Sequence, residues 1–125
     1  MIGYVTLGTN DLDRAVAFYD ALLSELGAKR FMEHEGTFVA WAVDPALPGL
    51  SVTKPWDGQE ATVGNGCMTA LVVDSADAVD RVYARAIELG AQCEGPAGPR
   101  EGGFYAGYFR DLDGNKLNVF HFAGP

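Results

Sequence analysis

The sequence predicts an α+β fold built from two βαβββ modules in tandem, and three observations support this fold class. The segment YVTLGTNDLD from Tyr4 recurs in pattern as MTALVVDSAD from Met68. Each copy is followed by an amphipathic stretch that ends in Leu-Gly-Ala. Later positions keep a constant offset of 67, as between Leu50 and Leu117. We therefore expect the two halves to contain the same elements in the same order.

The first module begins with a strand that is followed by a helix. Residues 2–8 alternate apolar and polar side chains, as a half-buried strand does. Asn10 stands where a helix N-cap belongs, and apolar residues recur at helical spacing through residues 11–26. Gly27 suits the position after the helix, where the backbone often turns left-handed. Three further strands are predicted near residues 28–34, 37–43 and 49–54.

The second module repeats this plan. Asp74 is the predicted N-cap of a helix over residues 75–89, and Gly90 is its terminating glycine. Its later strands are predicted near residues 91–94, 103–110 and 115–122. The Pro- and Gly-rich segment 95–103 predicts an irregular loop that could border a site. We place module 1 at residues 1–57, a linker at 58–66 and module 2 at 67–122.

Size and charge limit the class of protein. The 125 residues correspond to about one domain, and because modules of about 60 residues are marginal alone, we expect a single domain over residues 1–125. The net charge of −8 argues against nucleic-acid and anionic-membrane partners. No run approaches the roughly 20 apolar residues of a membrane span, and the first residues resemble a strand more than a signal segment. A cytoplasmic location is therefore expected. Cys67 and Cys93, far apart in the sequence, suggest neither a disulfide framework nor a zinc cluster.

Two segments of this pattern carry a resemblance to a known family. DLDRAVAFYDAL at 11–22 and GYFRDLDGNKLNVF at 107–120, within tandem βαβββ modules, resemble the vicinal oxygen chelate superfamily. Its members include glyoxalase I, extradiol dioxygenases, fosfomycin-resistance enzymes and bleomycin-resistance proteins, and the likeness is greatest to small glyoxalase-like bacterial proteins. The resemblance covers residues 2–122. It implies that the sheets curl into an open, cavity-containing mixed β-barrel with flanking helices.

The resemblance also implies where a metal would be held. Metal enzymes of that superfamily take their ligands from the first and last strands of each module, and those positions correspond here to Tyr4, Ser51, Met68 and Asn118, with Thr53 an alternative to Ser51. The family's ligand types, His and Glu, are absent from all four positions. A thioether, hydroxyls and a neutral amide bind divalent transition metals poorly. We therefore expect no catalytic metal and no cofactor.

The same positions suggest a pocket for a small molecule. Strand alternation places further polar, apolar and aromatic side chains beside them. The predicted lining residues are Thr6, Thr53, Ala70, Phe120, Trp41, Tyr105 and Tyr108. Three cationic residues in or near loops are possible anion contacts, namely Lys54, Arg100 and Arg110. These side chains could instead simply fill the barrel as core.

Three functions stay open at this point. The leading hypothesis is a protein that binds a small, partly apolar or aromatic molecule without a catalytic metal, as drug-sequestering members of the superfamily do. An alternative is a metal-dependent enzyme, either a lactoylglutathione lyase-like protein or a dioxygenase, which would need ligands from elsewhere, such as His34 or His121. A third possibility is a non-catalytic interaction module with a filled barrel. The resemblance also suggests a homodimer.

Overall fold

The computed structural model describes residues 1–124, which form two compact units. Met1–Gly64 make up unit 1, and the described chain from Asn65 onward makes up unit 2. Each unit contains one four-stranded sheet and one α-helix in βαβββ order. The predicted α+β class and the tandem arrangement of modules are therefore confirmed. The barrel implied by the resemblance stays a prediction.

Unit 1 contains strand β1 (Tyr4–Gly8), helix α1 (Leu12–Ser24) and strands β2 (Lys29–His34), β3 (Phe38–Ala42) and β4 (Gly49–Thr53). The strand order in its sheet is β1-β4-β3-β2. β1 runs parallel to β4, which the intervening helix permits, and the other neighbours are antiparallel.

Unit 2 repeats these elements with β5 (Thr69–Val72), α2 (Ala76–Glu88), β6 (Gln92–Pro99), β7 (Phe104–Arg110) and β8 (Lys116–Phe122). A short 3-10 turn over Glu101–Gly103 joins β6 to β7. The strand order is β5-β8-β7-β6, and again the first and last strands of the unit run parallel.

The helix caps lie one residue later than the sequence pattern predicted. Asp11 and Ser75 are the N-caps, and their side chains accept hydrogen bonds from the backbone N–H groups three residues on, at 3.1 Å each. Asn10 has a different role, because its amide exchanges two hydrogen bonds with the backbone of Ala61, at 2.7 and 3.1 Å. This fastens the predicted linker to the start of the helix.

The helix ends agree with the predicted glycines. Gly27 and Gly90 have φ of +79° and +104°, the left-handed conformation that follows a helix. The backbone N–H of Ala28 reaches back to the carbonyl of Leu23, a bond typical of this motif. The helices themselves end two and one residues earlier than predicted, at Ser24 and Glu88.

Segment 95–103 is not the irregular loop that its Pro and Gly content predicted. β6 continues to Pro99 and pairs with β7, with shifts in register on either side of Gly95. A Cβ at Gly95 would lie 3.3 Å from the ring of Tyr108. The glycine therefore allows the ring to lie close to an irregular strand, as glycines at β-bulges do.

Each helix covers one face of the sheet in its own unit. In unit 1, Trp41 lies beneath α1 with its ring 5.8 Å from that of Tyr19, and its indole N–H donates to Asp20. In unit 2, Tyr83 of α2 packs against Gly107, so closely that a Cβ there would lie 2.8 Å from its ring. The opposite face of each sheet carries no helix of its own unit, and we call it the helix-free face. Within residues 1–124 no helix has the length and apolar character of a membrane span.

Candidate functional site

On the helix-free face of the first sheet, the register places Thr6, Ser51 and Ala40 side by side across three strands. Alternation places Tyr4 on the same face, and its half-exposed ring contacts the edge of Phe38 at a centroid distance of 6.4 Å. The first sheet therefore brings together three of the predicted lining positions.

The hydroxyl groups of this face already bind their own unit. Ser51 is fully buried, and its hydroxyl lies 3.0 Å from the carbonyl oxygen of Val5 and 2.9 Å from the hydroxyl oxygen of Thr6. The hydroxyl of Thr53 likewise lies within hydrogen-bond distance of two backbone carbonyls. These side chains fasten neighbouring strands to one another and keep little hydrogen-bonding capacity for a ligand.

The helix-free face of the second sheet has a different character. Cross-strand pairs along β7 and β8 are, in order, Arg110 with Lys116, Tyr108 with Asn118, Ala106 with Phe120 and Phe104 with Phe122. Ala70 of β5 lies beside Asn118 on the other side, and the exposed Met68 directly precedes that strand. Along the strands, the side chains of this face thus change from cationic, through polar, to aromatic.

Asn118 holds the unusual polar group of this face. The residue is 94% buried, since only 6% of its surface is exposed. Its side-chain carbonyl oxygen, Oδ1, has no hydrogen-bond partner in the described part of the chain. Leaving a buried acceptor unsatisfied costs about 1–3 kcal/mol. A donor that reached this oxygen would recover this free energy.

The aromatic end of the face is exposed. The ring of Phe104 lies 5.8 Å from Phe120 and 4.9 Å from Phe122, so the three form one cluster. Phe104 and Phe122 keep 42% and 47% of their surface exposed, and Val72 keeps 68%. An exposed group of large apolar side chains on one sheet face is typical of a binding surface.

The cationic end is arranged around Tyr108. The Arg100 guanidinium lies 5.4 Å from the centre of its ring, and the Lys116 ammonium lies 5.7 Å from it. Arg100 donates to the backbone carbonyls of Pro96, Gly98 and Pro99 and to no carboxylate in the described residues. Its positive charge is therefore held in place without being neutralised.

Arg110, a predicted anion contact, is already paired. Its Nε donates to Glu94 at 2.5 Å, and its Nη1 donates to the carbonyl of Gly114. The hydrogen bond from Arg110 holds the pKa of Glu94 below its usual value, although burial opposes this shift. Lys54 lies exposed just after β4. Lys116, which the sequence pattern did not single out, takes the place predicted for Arg110.

Trp41 and Tyr105 lie on the helix-covered faces and not on the predicted pocket face. Trp41 is 98% buried beneath α1, and the hydroxyl of Tyr105 donates to Asp80 of α2 at 2.7 Å. In the sequence, the constant offset of 67 would pair Trp41 with Tyr108. The register pairs Trp41 with Leu50, whereas Tyr108 pairs with Asn118, so the true offset at this strand is 68. A shift of one residue moves a side chain to the opposite face.

Unit 1 also has a groove that the sequence pattern did not reveal. It measures about 620 Å³ and runs between α1 and the β2–β3 hairpin, with Val16 and Val39 among its apolar lining residues. Arg30 at its edge binds both Asp20, at 2.9 and 2.5 Å, and Glu33, at 2.7 Å. The bond from Arg30 lowers the pKa of Asp20, against the effect of burial. Arg30 thus pairs with two of the four acids that line the groove.

The side chains at the four predicted ligand positions do not fit a transition metal. Ser51 is committed to the strands around it, and Asn118 offers one neutral oxygen. Tyr4 and Met68 add a phenol and a thioether. The described residues contain no group of three or more His, Cys, Asp or Glu side chains that could hold an ion. His34 packs on Phe38, and the ring Nδ1 of His121 lies 3.3 Å from the carbonyl of Val73.

Comparisons with known proteins agree with the resemblance. The family model described as Glyoxalase/Bleomycin resistance protein/Dioxygenase superfamily matches residues 1–119. A glyoxalase/bleomycin resistance protein from Albidiferax ferrireducens is similar in structure, with 36% identity, a TM-score of 0.88, and coverage of 97% of this chain and 98% of that one.

More distant structures share the fold. A glyoxalase/bleomycin resistance protein/dioxygenase family enzyme from Burkholderia phytofirmans is 17% identical, with a TM-score of 0.76 and coverage of 96% and 97%. A lactoylglutathione lyase from Agrobacterium tumefaciens is 23% identical, with a TM-score of 0.73 and coverage of 97% and 92%. No curated protein sequence matches this chain significantly. The family model and the 36% identical structure together show that the chain belongs to the glyoxalase/bleomycin resistance protein/dioxygenase superfamily.

Proposed function

We propose that this protein binds a small, partly apolar or aromatic molecule on the helix-free face of its second sheet, and that it does so without a catalytic metal. Asn118 would accept a hydrogen bond from the ligand, and Tyr108 and Phe120 would contact its apolar part. Met68 and Ala70 would border the site from the β5 side. Tyr4, Thr6, Ser51 and Thr53 occupy the corresponding face of the first sheet.

The unsatisfied Oδ1 of Asn118 is the observation that carries this proposal. A buried carbonyl oxygen with no partner destabilises the free protein, and a ligand N–H or O–H group would remove that penalty. Aromatic and apolar side chains around one fixed polar group are the usual composition of a small-molecule site. The repeat gives a contrast, because Ser51 at the equivalent position is satisfied within the chain.

The chemistry of the donor groups supports binding in preference to metal-dependent catalysis. Hydroxyls, one thioether and one neutral amide stand at the positions where metal enzymes of this superfamily hold their ion. Ligation by Ser51 would require it to give up its contacts with Val5 and Thr6. We derive no catalytic step from these residues.

We further propose a cytoplasmic homodimer. Both cysteines are free and exposed, which suits a reducing compartment. Exposed apolar side chains on the helix-free faces, such as Tyr4 and Phe122, suit a second copy as a partner. Light scattering after size exclusion would test the dimer, and a monomer at micromolar concentration would contradict it.

A ligand screen on paired variants tests the binding proposal. Thermal shifts would be measured with a library of aromatic amides, phenols and acids, using the wild-type protein and Asn118→Val. Compounds that raise the melting temperature of the wild type should have little effect on Asn118→Val. Gln92→Val, a matched change on the exposed part of β6, should retain the wild-type response.

Two results would contradict the proposal. One is a screen in which no compound distinguishes the wild type from Asn118→Val. The other is metal analysis of untagged protein that shows one transition metal per chain, together with an activity that is lost on chelation and restored by a divalent ion. That second result would favour the lyase or dioxygenase alternative.

A further inference from the structure

We infer that the ligand of this site carries an anionic group, a carboxylate, that binds at Lys116 and Arg100 beside Tyr108. This inference rests on the proposed function and adds the chemical class of the ligand. It assigns three parts to the molecule in a fixed order: an anion, then a hydrogen-bond donor, then an apolar or aromatic body.

The order follows from the sequence of pairs along β7 and β8. Lys116, Asn118 and Phe120 are alternate residues of one strand and share its helix-free face. Alternate residues are about 7 Å apart along a strand. An anion at Lys116 would therefore lie about 7 Å from the acceptor at Asn118, or closer because the lysine stem is flexible. The ligand's remaining part would continue toward Phe120 and Phe104.

Two positive charges lie beside the ring of Tyr108 at this end of the site. Arg100 follows β6, on one side of β7, and Lys116 belongs to β8, on the other side. An anion bound at the exposed edge of the ring would be attracted by both charges. The chain as a whole carries a net charge of −8, so this cationic group stands out from the rest of the protein.

Neighbouring acids leave the charges of Lys116 and Arg100 largely available to an anion. Glu94 is near enough for Lys116 to contribute to its lowered pKa, but its hydrogen bond goes to Arg110. Within residues 1–124 the hydrogen bonds of Arg100 go to backbone carbonyls, and its fixed guanidinium could receive a carboxylate without reorganisation.

Unit 1 lacks this arrangement at the equivalent positions. Gly49 stands where Lys116 stands in the repeat, and Ala40 pairs with Ser51 as Tyr108 pairs with Asn118. A Cβ at Gly49 would lie 2.8 Å from the carbonyl oxygen of Trp41, so no cationic side chain fits there without a shift. The anion subsite is therefore a feature of the second unit alone.

Three probes that differ by one group test the inference. Indole-3-acetate has the anion, a ring N–H donor and an aromatic body. Indole-3-acetamide lacks the charge, and 1-methylindole-3-acetate lacks the donor. Affinities would be measured by isothermal titration calorimetry at low ionic strength. We expect the acetate to bind at least about tenfold more tightly than the acetamide, since charged hydrogen bonds are about twice as strong as neutral ones.

Variants of Lys116 separate charge from structure. Lys116→Met should bring the acetate and acetamide affinities to within about threefold of each other, and Lys116→Arg should preserve most of the difference. Lys29→Met removes the same charge from exposed strand β2 and should leave the ratio unchanged. Unchanged melting temperatures would show that the variants fold.

Each outcome has a defined meaning. Equal binding of the acetate and acetamide by the wild type overturns the anion inference and leaves the proposed function standing. A tenfold preference that persists in Lys116→Met also overturns it. If none of the three probes binds at millimolar concentration, the anion inference fails, and an additional failure of the library screen would remove the proposed function as well.

Discussion

Replacing Asn118 with valine should make the ligand-free protein more stable, although the same change removes a proposed binding group. Oδ1 of Asn118 is buried and unsatisfied in the described chain. Valine removes that acceptor and adds no heavy atoms to the site. It is also favoured in strands, and Asn118 lies within β8. The sign of the effect is thus opposite to that of most substitutions of buried residues.

The magnitude follows from the cost of the unsatisfied group. Removing it should stabilise the protein by about 1–3 kcal/mol. The loss of one heavy atom from the packing offsets part of this gain. We therefore expect the free energy of unfolding to rise by about 1–2 kcal/mol. For a chain of 125 residues this corresponds to a melting temperature higher by about 3–8 °C.

Urea unfolding followed by circular dichroism measures this difference. Ser51→Ala at the equivalent position of the repeat is the matched comparison, and it should lower stability by about 1 kcal/mol because its hydroxyl has partners. We therefore expect the free energy of unfolding to rise in Asn118→Val and to fall in Ser51→Ala. A loss of more than about 1 kcal/mol in Asn118→Val would show that Oδ1 is satisfied in solution, and the reasoning would be refuted.

Three further predictions concern packing and electrostatics. Gly107→Ala should cost about 1–3 kcal/mol in chemical denaturation, because its new Cβ would lie 2.8 Å from the ring of Tyr83. Asn10→Ala should speed limited proteolysis within residues 55–66, because its two bonds to Ala61 hold that segment. Asp20→Asn should lower stability near neutral pH by less than about 1 kcal/mol, since the carboxylate is 40% exposed. Because its pKa is lowered in the folded state, this contribution is present above the ordinary value of 3.8 and is lost as pH falls below it.

Matched controls exist for each of these variants. Gly3→Ala meets no atom within 4 Å and should be almost neutral. Asp74→Ala changes the repeat counterpart of Asn10 and should not affect cleavage of residues 55–66. Asp57→Asn neutralises an exposed acid and should leave stability near neutral pH almost unchanged. Each prediction would be contradicted by one result. These results are an unchanged free energy of unfolding in Gly107→Ala, an unchanged rate of cleavage in Asn10→Ala, and a dependence of stability on pH in Asp20→Asn that matches the wild type.

The repeat in the sequence predicted the fold well because apolar periodicity and turn residues are local signals. The repeat predicted the wrong sheet face for Trp41, because one additional residue is enough to move a side chain to the opposite face. Val43 is the additional residue between β3 and the following turn, so Trp41 corresponds to Phe109 and Ala40 to Tyr108. Both Trp41 and Phe109 are buried beneath the helices. Only the strand register contains this information.

The details of the site depended on contacts that a sequence does not encode locally. Arg100, Arg110 and Lys116 are equal as cations in the sequence, yet within residues 1–124 only Arg110 donates a hydrogen bond to a carboxylate. Asn118 was predicted as a site position from the repeat and the resemblance. Its oxygen lacks a partner within residues 1–124 because Asn118 is buried between β7, its neighbour along the chain, and β5, which lies far earlier in the sequence.

Nuclear magnetic resonance is the most direct test of whether the second sheet holds the ligand site. Backbone and asparagine side-chain resonances of the full chain would be followed in proton–nitrogen correlation spectra during titration with indole-3-acetate. The largest changes are expected at the side-chain amide of Asn118 and at the backbone of Tyr108, Lys116 and Phe120. Changes concentrated instead around the groove beside α1, with Asn118 unaffected, would contradict the assignment of the site.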